Sequence, residues 1–309
     1  MTVLFNPPTR ASGSLLEIID EQKDDPLCLA TLVAIEGNAP YPVGSHMWIN
    51  EQGKFYGQIT GGCAEQAIAD HAVLALQTAC PSTVRYGLNS PYFDIQLPCG
   101  SGIDVHFNVE VTSSERQGWC QCLAQRRAVT SSFSTELGVF EQRFLPIPRL
   151  LVAGQGPIVI ALAQLAIASG IEVAIASQNE ATDALAADQG LVTQRIGSFD
   201  TAALLSDEFL GIVSLFHEHD LEIPLFAELL QGQAFYYGAL GSQRTHARRI
   251  EHLAKRGVAA KKAQQISGPI GIDIGANSPQ QIAISVLAEF IQFWNQRVEP
   301  RYPRQLMRG

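Results

Sequence analysis

The pattern of apolar and polar positions divides the chain into two halves with different periods. In residues 28–37, CLATLVAIEG, apolar and β-branched residues run almost without interruption, which predicts a buried strand. Residues 45–59, SHMWINEQGKFYGQI, predict two short strands around a Gln52–Gly53 turn, a hairpin. Further on, Ile103, Val105, Phe107, Val109 and Val111 alternate with Asp104, His106, Asn108 and Glu110, the period of a strand with one face buried. A short helix is predicted over 14–22. Inside residues 55–71, FYGQITGGCAEQAIADH, the period changes. Up to Ile59 the stretch has strand character; from Ala64 onward Ile68, Ala72 and Leu76 recur every fourth position, with Ala69 and Val73 beside them, as on one face of a helix.

From about residue 146 the pattern is different. Residues 149–177, RLLVAGQGPIVIALAQLAIASGIEVAIAS, form an apolar strand, a glycine turn, a helix and a second apolar strand, the βαβ unit of a parallel sheet covered by helices. Further strand–loop–helix units follow at 211–220 and 234–257. The segment 271–294 places Ser278 as an N-cap, Pro279 at the first helical position and Gln281 three residues after the cap. The expected fold class is α/β: a mixed α/β domain over 1–145, then a doubly wound, Rossmann-like parallel sheet over 146–309, with ligands at the carboxyl ends of its strands.

Composition narrows the classes of function. With 309 residues, 46% of them hydrophobic, the chain is long enough for two cores. Its 30 acidic against 21 basic residues give a net charge of −9, which argues against a nucleic-acid surface. No apolar run reaches membrane-spanning length and no signal peptide is apparent, so a cytoplasmic protein is expected. Six cysteines spread over this length do not make a disulfide framework and are expected to be reduced. Cys120 and Cys122 are the only close pair, too little for a metal site.

The candidate chemistry gathers at glycine turns. Gly61 and Gly62 precede a helix whose first turn is expected to hold Cys63 and Glu65. Glycines there permit positive φ and close approach, and the unpaired amides of a helix start favour an anion or a thiolate. Cys63 is then either an accessible, acidic thiol or a small apolar residue filling space under the turn. Cys99 lies in a second such turn beside Gly100 and Gly102. In the second half, Gly154 and Gly156 form part of a dinucleotide fingerprint, but Val159 replaces the third glycine. Ser177-Gln178-Asn179 stands where an acid would grip a ribose, with Glu180 only beyond, so NAD is doubtful while phosphate binding by the turn's amides is retained. His217, Glu218, His219 and Asp220 leave a strand at its carboxyl end. Ser242 and Arg244 open a helix as a possible phosphate cradle, whereas Arg248 and Arg249 are expected on a solvated face.

Five blocks in order carry a family resemblance: VAIEGNAPYPVGSHM with Gly37, Pro40, Pro42 and Gly44; GQITGGCAEQ; Cys99-Gly100; FYYGALGSQRTHARR; and GPIGIDIGANSPQQIAISVLAEFI. Together they resemble the XdhC/CoxI family, the accessory proteins of xanthine dehydrogenase and related molybdenum hydroxylases. The similarity runs from about residue 28 to 292 and covers 112–148 poorly. It implies an N-terminal XdhC/CoxI domain, a C-terminal Rossmann-type domain, and a molybdenum-cofactor (molybdopterin) chaperone. Such a chaperone binds the cofactor, assists its sulfuration together with a cysteine desulfurase, and delivers it to an apo xanthine dehydrogenase-type enzyme. On this reading Gly61, Gly62, Cys63, Glu65, Cys99, Gly100, Gly154, Gly156, His217, Ser242 and Arg244 contact cofactor, and Cys63 and Cys99 face its metal, since thiolates suit soft metal–sulfur centres. Cys63 and Cys99 are then expected close together at one cleft, with the loop of residues 216–220 at its mouth. The resemblance also implies a homodimer, in keeping with Phe290, Phe293 and Trp294 clustered on one helix; the four-residue repeat of Ile282, Val286 and Phe290 equally fits burial inside one chain. Two other classes stay open: an NAD(P)-dependent oxidoreductase using His217 or His219, and a scaffold in which both cysteines are merely buried.

Overall fold

The computed structural model describes residues 5–6, 24–91, 97, 100–136, 138–195, 204–205, 207–216 and 219–299; the helix expected over 14–22 lies outside them. The chain separates into two compact units, one of residues 24–146 and one of residues 147–299 together with Phe5 and Asn6. Among the described residues no helix is long and apolar enough to cross a membrane.

The first unit is built on β1 (Leu27–Glu36), β2 (His46–Asn50), β3 (Phe55–Gly57), α1 (Glu65–Thr78), β4 (Ser82–Gly87), β5 (Gly102–Asn108), α2 (Ser113–Ala124) and the hairpin β6 (Val129–Thr135) with β7 (Gly138–Phe144). Its five-stranded sheet has the order β3-β2-β1-β5-β4, with antiparallel neighbours throughout. The uninterrupted apolar run of β1 is explained by its central place and by cover on both faces. Cys28, Ala30 and Leu32 pack with Ile68, Ala69 and Ala72 of α1, while Leu29 packs with Trp48, Leu123 and Phe144 and Val33 with Phe133 and Phe140. Each Leu, Ile, Val or Phe among them contributes roughly 1.5–3 kcal/mol on burial.

The alternation in β5 has a different meaning from the expected one. Ile103, Val105 and Phe107 join the α1 core, but Asp104, His106 and Asn108 are buried as well. The polar face is covered: the His106 ring stacks on Phe133 of β6 at 4.9 Å and 9° between planes. Across the sheet, the Thr83 hydroxyl lies 3.0 Å from His106 Nδ1, and Arg85 of β4 reaches Asp104 at 3.1 Å and also pairs with Glu36. These partners make the burial tolerable.

The second unit holds β8 (Arg149–Gly154), α3 (Pro157–Ala168), β9 (Glu172–Ala176), α4 (Glu180–Asp188), β10 (Thr193–Gln194), β11 (Leu210–Leu215), α5 (His219–Leu229), β12 (Tyr236–Ala239), α6 (Gln243–Lys255), α7 (Ala260–Ala263), β13 (Ile266–Ser267) and α8 (Pro279–Arg297). Its six strands are parallel in the order β10-β9-β8-β11-β12-β13. The chain runs outward from β8 to β10 and then returns to the other side of β8, so the strand order reverses between β8 and β11. Ligand sites in such sheets lie at that reversal, outside the carboxyl ends. Helix α8 is capped by Ser278, whose hydroxyl accepts from the Gln281 amide, and it buries Val286, Phe290 and Trp294 within the unit.

Candidate functional site

One end of the five-stranded sheet collects the first unit's motif loops. The register pairs Glu36 with Gly102, Thr31 with His46, Met47 with Gly57, and Gly87 with Gly102. Consequently the β1–β2 loop, the β3–α1 turn and the segment entering β5 all emerge at this end. Side chains fasten them together. Tyr41 donates to Gln58 Oε1 at 2.5 Å, and its ring lies 3.4 Å from where a Gly61 side chain would begin. At the other flank Ser101 stands 3.6 Å from the corresponding point at Gly37. Segments distant in sequence thus form one rim, which includes Gly61, Gly62, Cys63, Glu65 and Gly100. Cys99 lies outside the described residues.

The β3–α1 turn is shaped from within. Glu65 is the first residue of α1, after N-cap Ala64, so Cys63 stands just before the helix rather than in its first turn. The Glu65 side chain folds back under the turn. Oε1 accepts the amides of Ile59 (3.2 Å), Thr60 (2.7 Å) and Gly61 (2.9 Å); Oε2 accepts the Gly62 amide (2.7 Å), the Ala64 amide (3.3 Å) and the Thr60 hydroxyl (2.5 Å). Successive amides converge on one point because Gly61 and Gly62 take φ of +76° and +107°, a conformation in which residues with side chains are strained. Burial pushes the carboxyl up, but the Thr60 hydroxyl and the surrounding amides outweigh it and hold the pKa down to about 2.

This arrangement differs from the one the sequence suggests. The Gly61 and Gly62 amides, expected to face a ligand, donate to Glu65 instead, and Glu65 is 5% exposed. The glycines still leave room, since no atom lies within 4 Å of where a Gly62 Cβ would be. Of the two readings of Cys63, the exposed thiol is the one observed, in contrast to Cys28, whose thiol is pushed up by burial in the α1 core. Thr60 and Tyr41 escaped the sequence reading; the polar residue immediately ahead of the glycine pair was the available sign of Thr60.

In the second unit Gly154 closes β8, and a Cβ there would meet Leu215 Cβ at 2.8 Å, so this glycine serves the contact with β11. Gly156 is the N-cap of α3, but its amide donates to Thr182 Oγ1 at 2.9 Å and the next residue, Pro157, has no N–H. The phosphate-binding capacity expected of this turn is correspondingly reduced. Ser177 is fully buried and bonds its own loop: its hydroxyl accepts the Asn179 amide at 3.0 Å, while Asn179 caps α4 by accepting the Thr182 amide at 2.9 Å. Ser177 stands at the end of β9, the position where an acid would grip a ribose. Ser242 caps α6 by accepting the Thr245 amide at 3.2 Å, and Arg244 is exposed in the first turn. His217, Glu218 and the side chain of His219 lie outside the described residues; Phe216 is buried and α5 begins at His219. Among the described residues no group of three or more His, Cys, Asp or Glu is placed to hold a metal ion.

Arg249 overturns the expectation of a solvated face. Its guanidinium is buried, donating to Glu222 Oε2 at 2.9 Å and to the Leu240 carbonyl at 2.6 Å, with His246 Nδ1 at 3.1 Å; Glu222 also accepts from the Ser214 hydroxyl at 2.7 Å. This ion pair ties β11, α5 and the middle of α6 together beneath the carboxyl edge.

Two family models match the chain: the XdhC and CoxI family over residues 21–87 and the XdhC Rossmann domain over residues 150–290. The chain is 32% identical over 277 residues to the molybdenum cofactor insertion chaperone PaoD of Escherichia coli (strain K12), a match covering 84% of this chain and 81% of that protein. It is 29% identical over 335 aligned positions to a probable xanthine dehydrogenase subunit of Bacillus subtilis (strain 168), covering 90% of this chain and 96% of that one. The crystal structure of a xanthine dehydrogenase from Bacillus halodurans shares the fold, with a TM-score of 0.71 over 95% of this chain and 100% of the other at 22% identity.

Proposed function

Since the chain belongs to the XdhC and CoxI family, we propose that it is a chaperone of molybdenum cofactor, which it binds as cargo, shelters, carries through sulfuration alongside a cysteine desulfurase, and inserts into an apo xanthine dehydrogenase-type enzyme in the cytoplasm. The observation that carries this reading is the match across both units to a relative named as an insertion chaperone for that cofactor. The geometry supports it at the rim of the first unit. There Cys63 offers an exposed thiol, a donor suited to a soft metal–sulfur centre, beside the open backbone of Gly62. Because Glu65 occupies the neighbouring amides, the rim receives the metal end of the cargo and not its phosphate.

In this role Cys63 meets the metal end of the cargo, residues 1–145 and 146–309 act as the two domains, and the working form is a homodimer. Mass spectrometry of gently purified protein tests the cargo: a bound pterin is expected, and Cys63→Ser lowers its amount while leaving thermal unfolding unchanged. Recovery of NAD in its place, or equal pterin content in wild type and variant, rejects the assignment. Light scattering at micromolar concentration tests the dimer, which a monomer mass removes.

A further inference from the structure

We propose that Glu65 is the positioning residue of the Cys63 turn: its carboxylate is a built-in anion around which residues 59–64 wrap, and it closes their amides to the anionic groups of any ligand. Five amides and one hydroxyl point at its two oxygens, including the amides of both residues flanking Cys63. A ring of backbone donors around one centre is the architecture by which proteins hold phosphate or carboxylate ligands. Here the anion arrives from the same chain, five residues after Thr60, and is itself sealed from solvent.

Two consequences follow from this geometry. Among the described residues the Cys63 side chain has no hydrogen-bonding anchor, yet its backbone is fixed between Gly62, whose amide ends on Oε2, and Ala64, whose amide is shared between Thr60 Oγ1 at 2.9 Å and Oε2 at 3.3 Å. The thiol is therefore presented by the carboxylate. A phosphate or carboxylate of a ligand gains these amides only by displacing Glu65, which would leave a buried carboxylate without donors, at large cost. The turn thus selects for thiophilic or uncharged groups. The arrangement is that of the cargo-free protein and does not depend on the identity of the cargo.

The test uses the full chain without cargo. Two quantities are read: hydrogen exchange of the amides at 59–64, and alkylation of Cys63 by iodoacetamide relative to Cys80, an exposed thiol beyond the far end of the same helix. Glu65→Ala is expected to reduce protection of Gly61 and Gly62 by about tenfold or more, the scale of losing charge-assisted hydrogen bonds. It should also change the Cys63:Cys80 ratio, leaving core amides as they are. Added formate, filling the vacated cradle, restores both readouts in Glu65→Ala and does nothing in wild type. Thr60→Val, which keeps the carboxylate but removes the hydroxyl that donates to it and accepts the Ala64 amide, gives a smaller change in the same direction, and Thr60→Ser behaves as wild type. If Glu65→Ala does not fold, the Thr60 pair alone decides the matter. Unchanged protection and unchanged thiol ratio in the folded variants overturn the positioning role; new protection of Gly61 and Gly62 in wild type on adding inorganic phosphate overturns the closure.

Discussion

In the folded chain the Glu65 carboxyl titrates at about 2, and on unfolding it returns toward its ordinary value of 4.5. A depressed folded pKa means that the associated stability is fully present above 4.5 and is lost as pH falls toward 2; the shift corresponds to about 3 kcal/mol. Urea unfolding of Glu65→Gln and wild type should accordingly differ most at pH 7 and converge as the pH drops below the ordinary carboxyl range. A gap that stays constant with pH would show that the charge is not what stabilises the turn. Arg249 makes a second residue-scale case. Arg249→Met strands the Glu222 carboxylate and should cost about 3–5 kcal/mol in chemical denaturation, whereas pairing it with Glu222→Met should cost less than the single change. Adjacent arginines look alike in composition; helix phase distinguishes them, because Arg249 lies four residues before buried Leu253, on the inner face, while Arg248 points outward.

At the scale of elements, the β8–α3 turn joins packing to ligand choice. Gly154→Ala drives a methyl into Leu215 and should lower stability by about 1–3 kcal/mol, read as a shift in urea midpoint at unchanged slope. The same turn has its Gly156 amide on Thr182 and a proline next, and the β9 end offers a self-bonded serine, so calorimetry with NAD should show no tight binding; strong heats would contradict it. The βαβ units were readable because a parallel sheet covered by helices writes near-continuous apolar runs. The cover of the first unit was not. Phe133, Phe140 and Phe144 of the β6–β7 hairpin pack toward a sheet face carrying His106, and in a local pattern a polar strand face is indistinguishable from a wet one. The pairing of His106 with Thr83 and of Asp104 with Arg85, across the consecutive strands β4 and β5, makes that face buriable. At the rim, the glycines and Cys63 stood out as single residues, whereas the destination of the Glu65 carboxylate depended on a fold-back that no periodicity records.

For the molecule as a whole, acid acts unevenly. In residues 24–146 burial lowers the pKa of His106 to about 4 and also lowers that of His46, against a weaker opposing bond to the Gly44 carbonyl. A histidine with a lowered folded pKa stabilises fully above its ordinary 6.5 and loses that contribution as pH falls through the window down to about 4. In the second unit His246 is lowered in the same sense, by burial and by Arg249, with Glu222 opposing. The three tryptophans allow separate observation: Trp48 and Trp119 report the first unit and Trp294 the second. Between pH 7 and pH 5 the denaturation midpoint of a Trp294→Phe chain should fall further than that of a Trp48→Phe, Trp119→Phe chain; equal falls would refute the asymmetry. The sheet of the first unit also has a practical polarity. Its motif loops occupy one end, while the Gln52–Gly53 turn joins β2 and β3 at the other, with Glu51 and Gln52 exposed. β2 is five residues long, so a fluorophore or affinity handle inserted after Gln52 rides about 16 Å from the rim. There it can report on cargo loading and hand-over without standing in the doorway.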